Sequence, residues 1–449
     1  MHAPPMPFGL AHRIGYARPV LTDIKSQTAE ELQAQFQSWG QPTYRVGQVL
    51  DWLYVHRVTD WEAMTNLPKT LRGQLRDRYS LGALELVREQ GSLDTTQKFL
   101  WRLDDHSLIE SVLIPASPAL YGEASDRHTL CVSTQVGCAY GCKFCASGLE
   151  GWKRNLRVEE IVEQVLAVER ASVKSKVGGE FQVPSSKFQV GGESKVQSPK
   201  SKVGEEFKVQ SSKFKVGEEF QVPSSKFQVP SEMPETEIQQ PESRVTHHAS
   251  RLVSNLVIMG MGEPLANYEN LLKALKILNA PWGGRIGARK ITISTSGLVP
   301  QIRRLADEPS QFRLAISLHG ATDATRNQIM PVNRKYPLKD LTAACEYYVQ
   351  KRGRMITFEY ILIAGVNDGP EQANPLAALA RRLNAKVNLI PYNKVEGLQW
   401  ERPAEEAQEA FLEALQRQKI TATLRREKGT DIDAACGQLR LKTEREMAL

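Results

Sequence analysis

The sequence predicts an α/β protein: a partial (βα)6 barrel with a small N-terminal helical domain and a β extension. From Thr129 onward, six near-continuous apolar runs, TLCVST, NLVIMG, KITIST, RLAISL, MITFEYIL and KVNLIP, each give way to a helical or loop stretch. Strands apolar on both faces and separated by helices make a parallel sheet that is covered on both sides. Six units are too few for a closed eight-stranded barrel, and the residues with chemistry fall at the C-terminal strand ends, where barrels and doubly wound sheets hold their sites.

A chain of 449 residues, 41% of them hydrophobic, has room for one large core and smaller modules. Its formal charge of +7 and pI near 9.0 would favour a polyanionic partner, although on charge alone a solvated basic surface is the plainer reading. The opening stretch MHAPPMPFGLAHRIGYARPVL breaks its apolar residues with Pro, His and Arg, so it has no signal-peptide core. No later run reaches the roughly 18 apolar residues of a membrane span. The expected compartment is the cytoplasm, where thiols stay reduced and clustered cysteines read as metal ligands or catalysts.

After a tail at 1–27, residues 28–82 read as a basic helical accessory domain. Thr28 and Glu31 form a capping box, and QPTYRVGQVLDWLYVHR sets Val46, Val49, Leu50 and Leu53 on one face. Arg45, Arg57, Arg72, Arg76 and Arg78 occupy the polar sides, suiting either RNA or plain solvent. Residues 83–127 form the β extension from LELVRE, QKFLWRL and LIESVLI, the last two joined by a turn at residues 104–107. Period-2 alternation puts Glu110 on the face of Val112 and Ile114, where an exposed strand charge is the plain reading.

The barrel takes 128–442 and leaves a tail at 443–449. Within it, residues 178–229 are four tandem copies of a 13-residue unit such as GEEFQVPSSKFQV. The units hold few large apolar residues, so residues 172–246 are expected to be a mostly disordered insertion; short hairpins from the F-x-V alternation are the other reading.

In CVSTQVGCAYGCKFC, Cys138, Cys142 and Cys145 are spaced C-x3-C-x2-C, with Cys131 seven residues upstream. Three thiolates suit three corners of a four-iron cluster, whose open iron can ligate a substrate, whereas structural zinc wants a fourth protein ligand that is absent at finger-like spacing. After the first strand of a βα repeat, this loop resembles that of the radical S-adenosylmethionine (SAM) enzymes. Met259-Gly260-Met261-Gly262-Glu263-Pro264-Leu265 lacks the third glycine of a dinucleotide fingerprint. Radical SAM enzymes place such a loop against the methionyl amine, which implies that role for Gly262 and Glu263. Ser294, Ser317-Leu318-His319 and Asn393 stand at later strand ends; each alone is a common cap, and together they outline a polar ligand site.

TLCVSTQVGC, CKFC, RNLRVEEIVEQVL, VIMGMGEPL, ITISTSG, SLH, LIPYN and DIDAACGQLR occur in this order. On these motifs the chain closely resembles the RlmN family, radical SAM enzymes that methylate carbon 2 of adenosine in 23S ribosomal RNA and transfer RNA. Departures are the insertion, Ser147 in place of threonine, and Cys345 on an apolar helix face, where a small buried hydrophobe is expected. The resemblance implies one [4Fe-4S] cluster on Cys138, Cys142 and Cys145, and two SAM molecules per turnover. It also implies a reductant such as flavodoxin or ferredoxin, and a monomer. Cys436 would take a methyl group from one SAM, and a second SAM, cleaved at the open iron, would yield the radical that activates it for addition to adenine. Cys131 would then free the protein from its RNA by forming a disulfide with Cys436, and Glu110 would take the proton from carbon 2. An apolar strand face would make Glu110 a stronger base. Two rivals remain: the sister resistance-type methyltransferase acting at carbon 8, and a non-catalytic iron-sulfur or zinc RNA-binding protein.

Overall fold

The computed structural model describes residues 21–116, 127–177, 251–425, 432 and 435–448. Helices α1 (Ala29–Ser38), α2 (Tyr44–Tyr54) and α3 (Lys69–Arg78) form the N-terminal domain. The capping box is present: the Thr28 hydroxyl accepts from the Glu31 N–H at 3.3 Å, and the Thr28 N–H donates to the Glu31 carboxylate at 2.7 Å. Val46, Val49, Leu50 and Leu53 are all buried, as their spacing requires. The basic residues are not a uniform solvated face. Buried Arg57 pairs with Glu169 of the first barrel helix at 3.2 Å, and Arg72 pairs with Glu62 at 2.9 Å.

Strands β1 (Glu85–Gly91), β2 (Gln97–Arg102) and β3 (Leu108–Pro115) form an antiparallel meander. The turn between β2 and β3 is closed by the Leu103 N–H donating to the Ser107 carbonyl at 2.9 Å, with His106 at a φ of 64°. This extension is continuous with the barrel. β3 pairs antiparallel with the first barrel strand, β4 (His128–Cys131), so that one ten-stranded sheet results.

From β4 the sheet runs parallel through β5 (Asn255–Ile258), β6 (Ile291–Thr295), β7 (Arg313–Ser317), β8 (Thr357–Leu362) and β9 (Lys386–Pro391), each bonded to the next. A seventh parallel strand, β10 (Ala422–Leu424), joins at the edge; three residues are too few to show as an apolar run. The helices between and after the strands are α4 (Val158–Val177), α5 (Tyr268–Asn279), α6 (Val299–Asp307), α7 (Asp323–Ile329), α8 (Leu338–Arg352), α9 (Pro370–Arg382), α10 (Glu405–Arg417) and α11 (Gln438–Ala448).

Two boundaries differ from expectation. Helix α4 continues to Val177, so residues 172–177 are helical, while the 13-residue repeats lie outside the described residues. The C-terminal segment is a helix to Ala448 rather than a tail from 443, held by buried Leu439, Leu441 and Thr443. Among the described residues no helix is long and apolar enough to cross a membrane.

Candidate active site

The C-terminal ends of the parallel strands surround a cavity of about 350 Å3. Its walls include Cys131 at the end of β4, Cys138, Cys142 and Cys145 in the following loop, Gly262 and Glu263 after β5, Ser294 of β6, Ser317 and His319 of β7, Asn393 after β9, and Cys436. Two of the expected site residues do not line it. Leu318 is buried with its N–H on the Glu359 carbonyl at 3.0 Å, and Glu110 stands behind the Cys436 segment.

The cysteine loop is fixed by its backbone. The Cys138 N–H donates to the Gly151 carbonyl at 3.0 Å and the Lys143 N–H to the Ile329 carbonyl at 2.9 Å, while the Trp400 indole N–H reaches the Lys143 carbonyl at 2.9 Å. Burial pushes the Cys138 thiol up to about 12, helped by the nearby Cys145. Burial, then the charges of Cys145 and Cys138, pushes Cys142 well above the ordinary thiol range, and burial raises Cys145. Three half-buried thiols, all raised above the ordinary range, become thiolates readily beside a cation, as metal ligation provides. Among the described residues no three His, Cys, Asp or Glu side chains gather about one point as ligands of a single ion would. A four-iron cluster takes one cysteine per iron, and three thiols spread around a shared cavity fit three of its corners.

Opposite them, Gly262 holds a φ of 99°, and a side chain there would bring its Cβ within 2.5 Å of the Gln135 Cβ. Glycine is required for both reasons. The Glu263 N–H donates to the Gln135 Oε1 at 2.8 Å, and its buried carboxylate accepts from the N–H groups of Ser296 at 2.7 Å and Leu265 at 3.1 Å. Burial raises its pKa, against these hydrogen bonds. A carboxylate on the cavity wall suits a ligand ammonium. The hydroxyls of Ser294 and Ser317 lie 3.1 Å apart. His319 Nδ1 accepts from the Ile361 N–H at 3.1 Å, and burial with the nearby Arg326 lowers the imidazole to about 3. It is therefore neutral with its proton on Nε2, a donor.

On the remaining wall Cys131 and Cys436 are neighbours, each near enough to shift the other's ionisation. Cys436, with burial, raises Cys131 well above its ordinary range. Cys131 lowers Cys436 against its burial, aided by the charges of Lys98 and Arg425 and opposed by that of Glu110. Cys436 Sγ also lies 3.3 Å from the Met259 carbonyl oxygen. All six cysteines are free thiols, so no disulfide joins this pair here.

The apolar surroundings expected for Glu110 are not found. Its carboxylate pairs with the Lys98 ammonium at 2.9 Å and accepts from the N–H groups of Gly437 at 2.6 Å and Arg440 at 2.7 Å. Gly437 has a φ of 84°, and a Cβ there would approach the Ser147 nitrogen to 2.8 Å, so the residue after Cys436 is fixed by geometry. Cys345 is fully buried on α8, as expected of a core residue.

Sequence reasoning missed Lys98, Arg425 and Glu359. The last two line the cavity, with the Glu359 carboxylate accepting from Asn388 at 2.7 Å. Lys98 was legible in principle: pairing β2 with β3 across the turn sets Lys98 opposite Val112, one diagonal step from Glu110.

A cluster loop after the first strand of a partial barrel, facing a glycine-glutamate loop and polar strand ends, defines a radical SAM enzyme. The family described as the radical SAM superfamily matches residues 225–373, and the ribosomal RNA large subunit methyltransferase N-terminal domain matches residues 22–81. The chain is 46% identical to a probable dual-specificity RNA methyltransferase RlmN 3 of Opitutus terrae, over 96% of both chains. It is 44% identical to a probable dual-specificity RNA methyltransferase RlmN of Akkermansia muciniphila, over 95% of this chain and 98% of that one. A crystal structure of a radical SAM methyltransferase from Sphaerobacter thermophilus superposes with a TM-score of 0.72 at 38% identity, covering 93% of this chain and 98% of that one. The chain belongs to the RlmN family of radical SAM RNA methyltransferases.

Proposed function

We propose that the protein methylates carbon 2 of adenosine in 23S ribosomal RNA and transfer RNA, with Cys436 as methyl carrier and Cys131 as the thiol that releases the product. The observation that carries this reading is the neighbouring pair of cysteines, Cys131 and Cys436, on the wall of the cavity that Cys138, Cys142 and Cys145 also line. A binding protein has no use for that pair. Cys138, Cys142 and Cys145 would hold one [4Fe-4S] cluster, and Gly262, Glu263, Ser294, Ser317, His319 and Asn393 would hold SAM, two molecules being used per turnover. Cluster and SAM, when bound, would supply a radical that takes a hydrogen atom from the methyl group carried on the Cys436 sulfur, and the cluster would take back the electron left unpaired once that carbon has added to adenine.

The chain's own groups do the rest. Cys436, the more acidic thiol of the pair, is the nucleophile for the first methyl transfer. Once its methylene is bonded to adenine, Glu110 accepts the proton from carbon 2. Cys131 then attacks the Cys436 sulfur as a thiolate. An S–S bond forms, the S–C bond breaks, and its electron pair stays on the methylene carbon, which takes a proton to become the methyl group. In this reading the protein is a cytoplasmic monomer served by a flavodoxin- or ferredoxin-type donor.

Anaerobic turnover with methyl-labelled SAM and both RNAs tests the proposal. Label at carbon 2 of adenosine is expected; label at carbon 8 would assign the protein to the sister activity, and absence of label from RNA would contradict both.

A further inference from the structure

We propose that Lys98 is a positioning residue that holds Cys436 and Glu110 together as one unit. The inference rests on the roles given above to these two residues; the contacts themselves do not.

Lys98 has no exposed surface, and a buried ammonium persists only where it is paired and hydrogen-bonded. Its Nζ lies 2.9 Å from Glu110 Oε2 and donates to the Ala435 carbonyl at 2.7 Å. The Glu110 carboxylate in turn accepts from the N–H of Gly437 at 2.6 Å and that of Arg440 at 2.7 Å. Both neighbours of Cys436 are therefore gripped by one ion pair: Ala435 through its carbonyl by the lysine, Gly437 through its N–H by the glutamate. Arg440, also fully buried, extends the grip to the cluster loop through Glu150 at 2.8 Å.

The two grips differ in what they depend on. A carboxylate that accepts a proton loses its charge and turns one oxygen into a donor, so its hold on Gly437 and Arg440 weakens at the moment it acts as base. The Lys98 bond to Ala435 does not depend on that charge. Lys98 thus keeps the Cys436 segment in place while Glu110 is protonated, and a neutral residue of similar size at 98 would release it.

Hydrogen exchange on the full-length, cluster-free protein tests this. In Lys98→Met, exchange across residues 435–441 should quicken by about tenfold or more, because the local opening that exposes Gly437 and Arg440 becomes more populated. Helix α8 should keep wild-type protection, and Lys98→Arg should restore most of the protection at 435–441. Wild-type exchange at 435–441 in folded Lys98→Met overturns the proposal, and so does loosening shared by α8, which would mark a merely structural role. If Lys98→Met does not fold, Glu110→Gln, neutral like the protonated base and with Lys98 still present, must keep exchange across 435–441 within a few-fold of wild type, or the proposal fails. Separately, Cys436 in protein from cells should carry a methyl group in wild type and lack it in Lys98→Met. An unmethylated wild-type cysteine would contradict the proposed function and leave the exchange result to decide the role of Lys98.

Discussion

Cys131 and Cys436 stand side by side on one cavity wall, and their proximity raises the first thiol and lowers the second. The chain thereby separates two cysteines on the same cavity wall into a ready nucleophile and a held-back one. With Lys98 and Arg425 also favouring its thiolate, Cys436 ionises at a lower pH than its partner. The pH profile of iodoacetamide labelling at Cys436 in cluster-free protein should therefore begin below that of an ordinary thiol. Cys131→Ala removes the largest influence lowering Cys436 and should move the profile to higher pH; an unmoved profile would show that Cys131 does not govern the nucleophile.

His319 makes stability sensitive to acid. Its imidazole is ordinarily protonated near 6.5 in an unfolded chain and only at about 3 in the folded one. Between those values the unfolded state binds the extra proton, so stability falls as pH falls, with a limiting slope of about 1.4 kcal/mol per pH unit. His319→Asn should flatten the urea midpoint between pH 6.5 and about 4 relative to wild type. An equal slope in the variant would contradict the assignment.

The repeat segment should be dispensable for the fold. The Glu169 carboxylate on α4 accepts from the N–H groups of Leu252 at 3.1 Å and Val253 at 2.9 Å, so the chain re-enters the barrel directly beside the helix it left. Replacing residues 180–247 by a short Gly/Ser linker should leave the melting temperature within a few degrees and methylation largely intact. Lost activity in a folded deletion would assign the repeats a part in RNA binding or catalysis.

Cys345 is the control among the cysteines. It is fully buried on α8, and burial pushes its thiol up to about 12. Cys345→Ala should cost about 1 kcal/mol of stability and leave turnover unchanged. Turnover lost at full stability would give it an unassigned chemical role.

The barrel strands and the three-cysteine loop that lines the cavity were legible because both are written locally, one as apolar runs and the other as a fixed spacing. Glu110 was legible as an odd charge on an apolar face, yet its surroundings were not, since Lys98, Gly437 and Arg440 reach it from distant elements. Period-2 alternation reports the side of a strand and not what covers it. The edge strand Ala422–Leu424 escaped notice because three residues carry no pattern, and the C-terminal helix because its burial depends on β3 and the cluster loop.

The central claim is that Cys131 releases the protein from RNA held on Cys436, and Cys131→Ala tests it most directly. Addition to adenine would proceed while the thiolate that breaks the S–C bond is gone, so denaturing gels of the variant from cells should show RNA attached to the protein. Peptide mapping should place the attachment at Cys436 through a single carbon, and Cys131→Ala/Cys436→Ala should carry no RNA. A Cys131→Ala protein that stays free of RNA and methylates at the wild-type rate would contradict the account, leaving Cys131 as a buried strand residue.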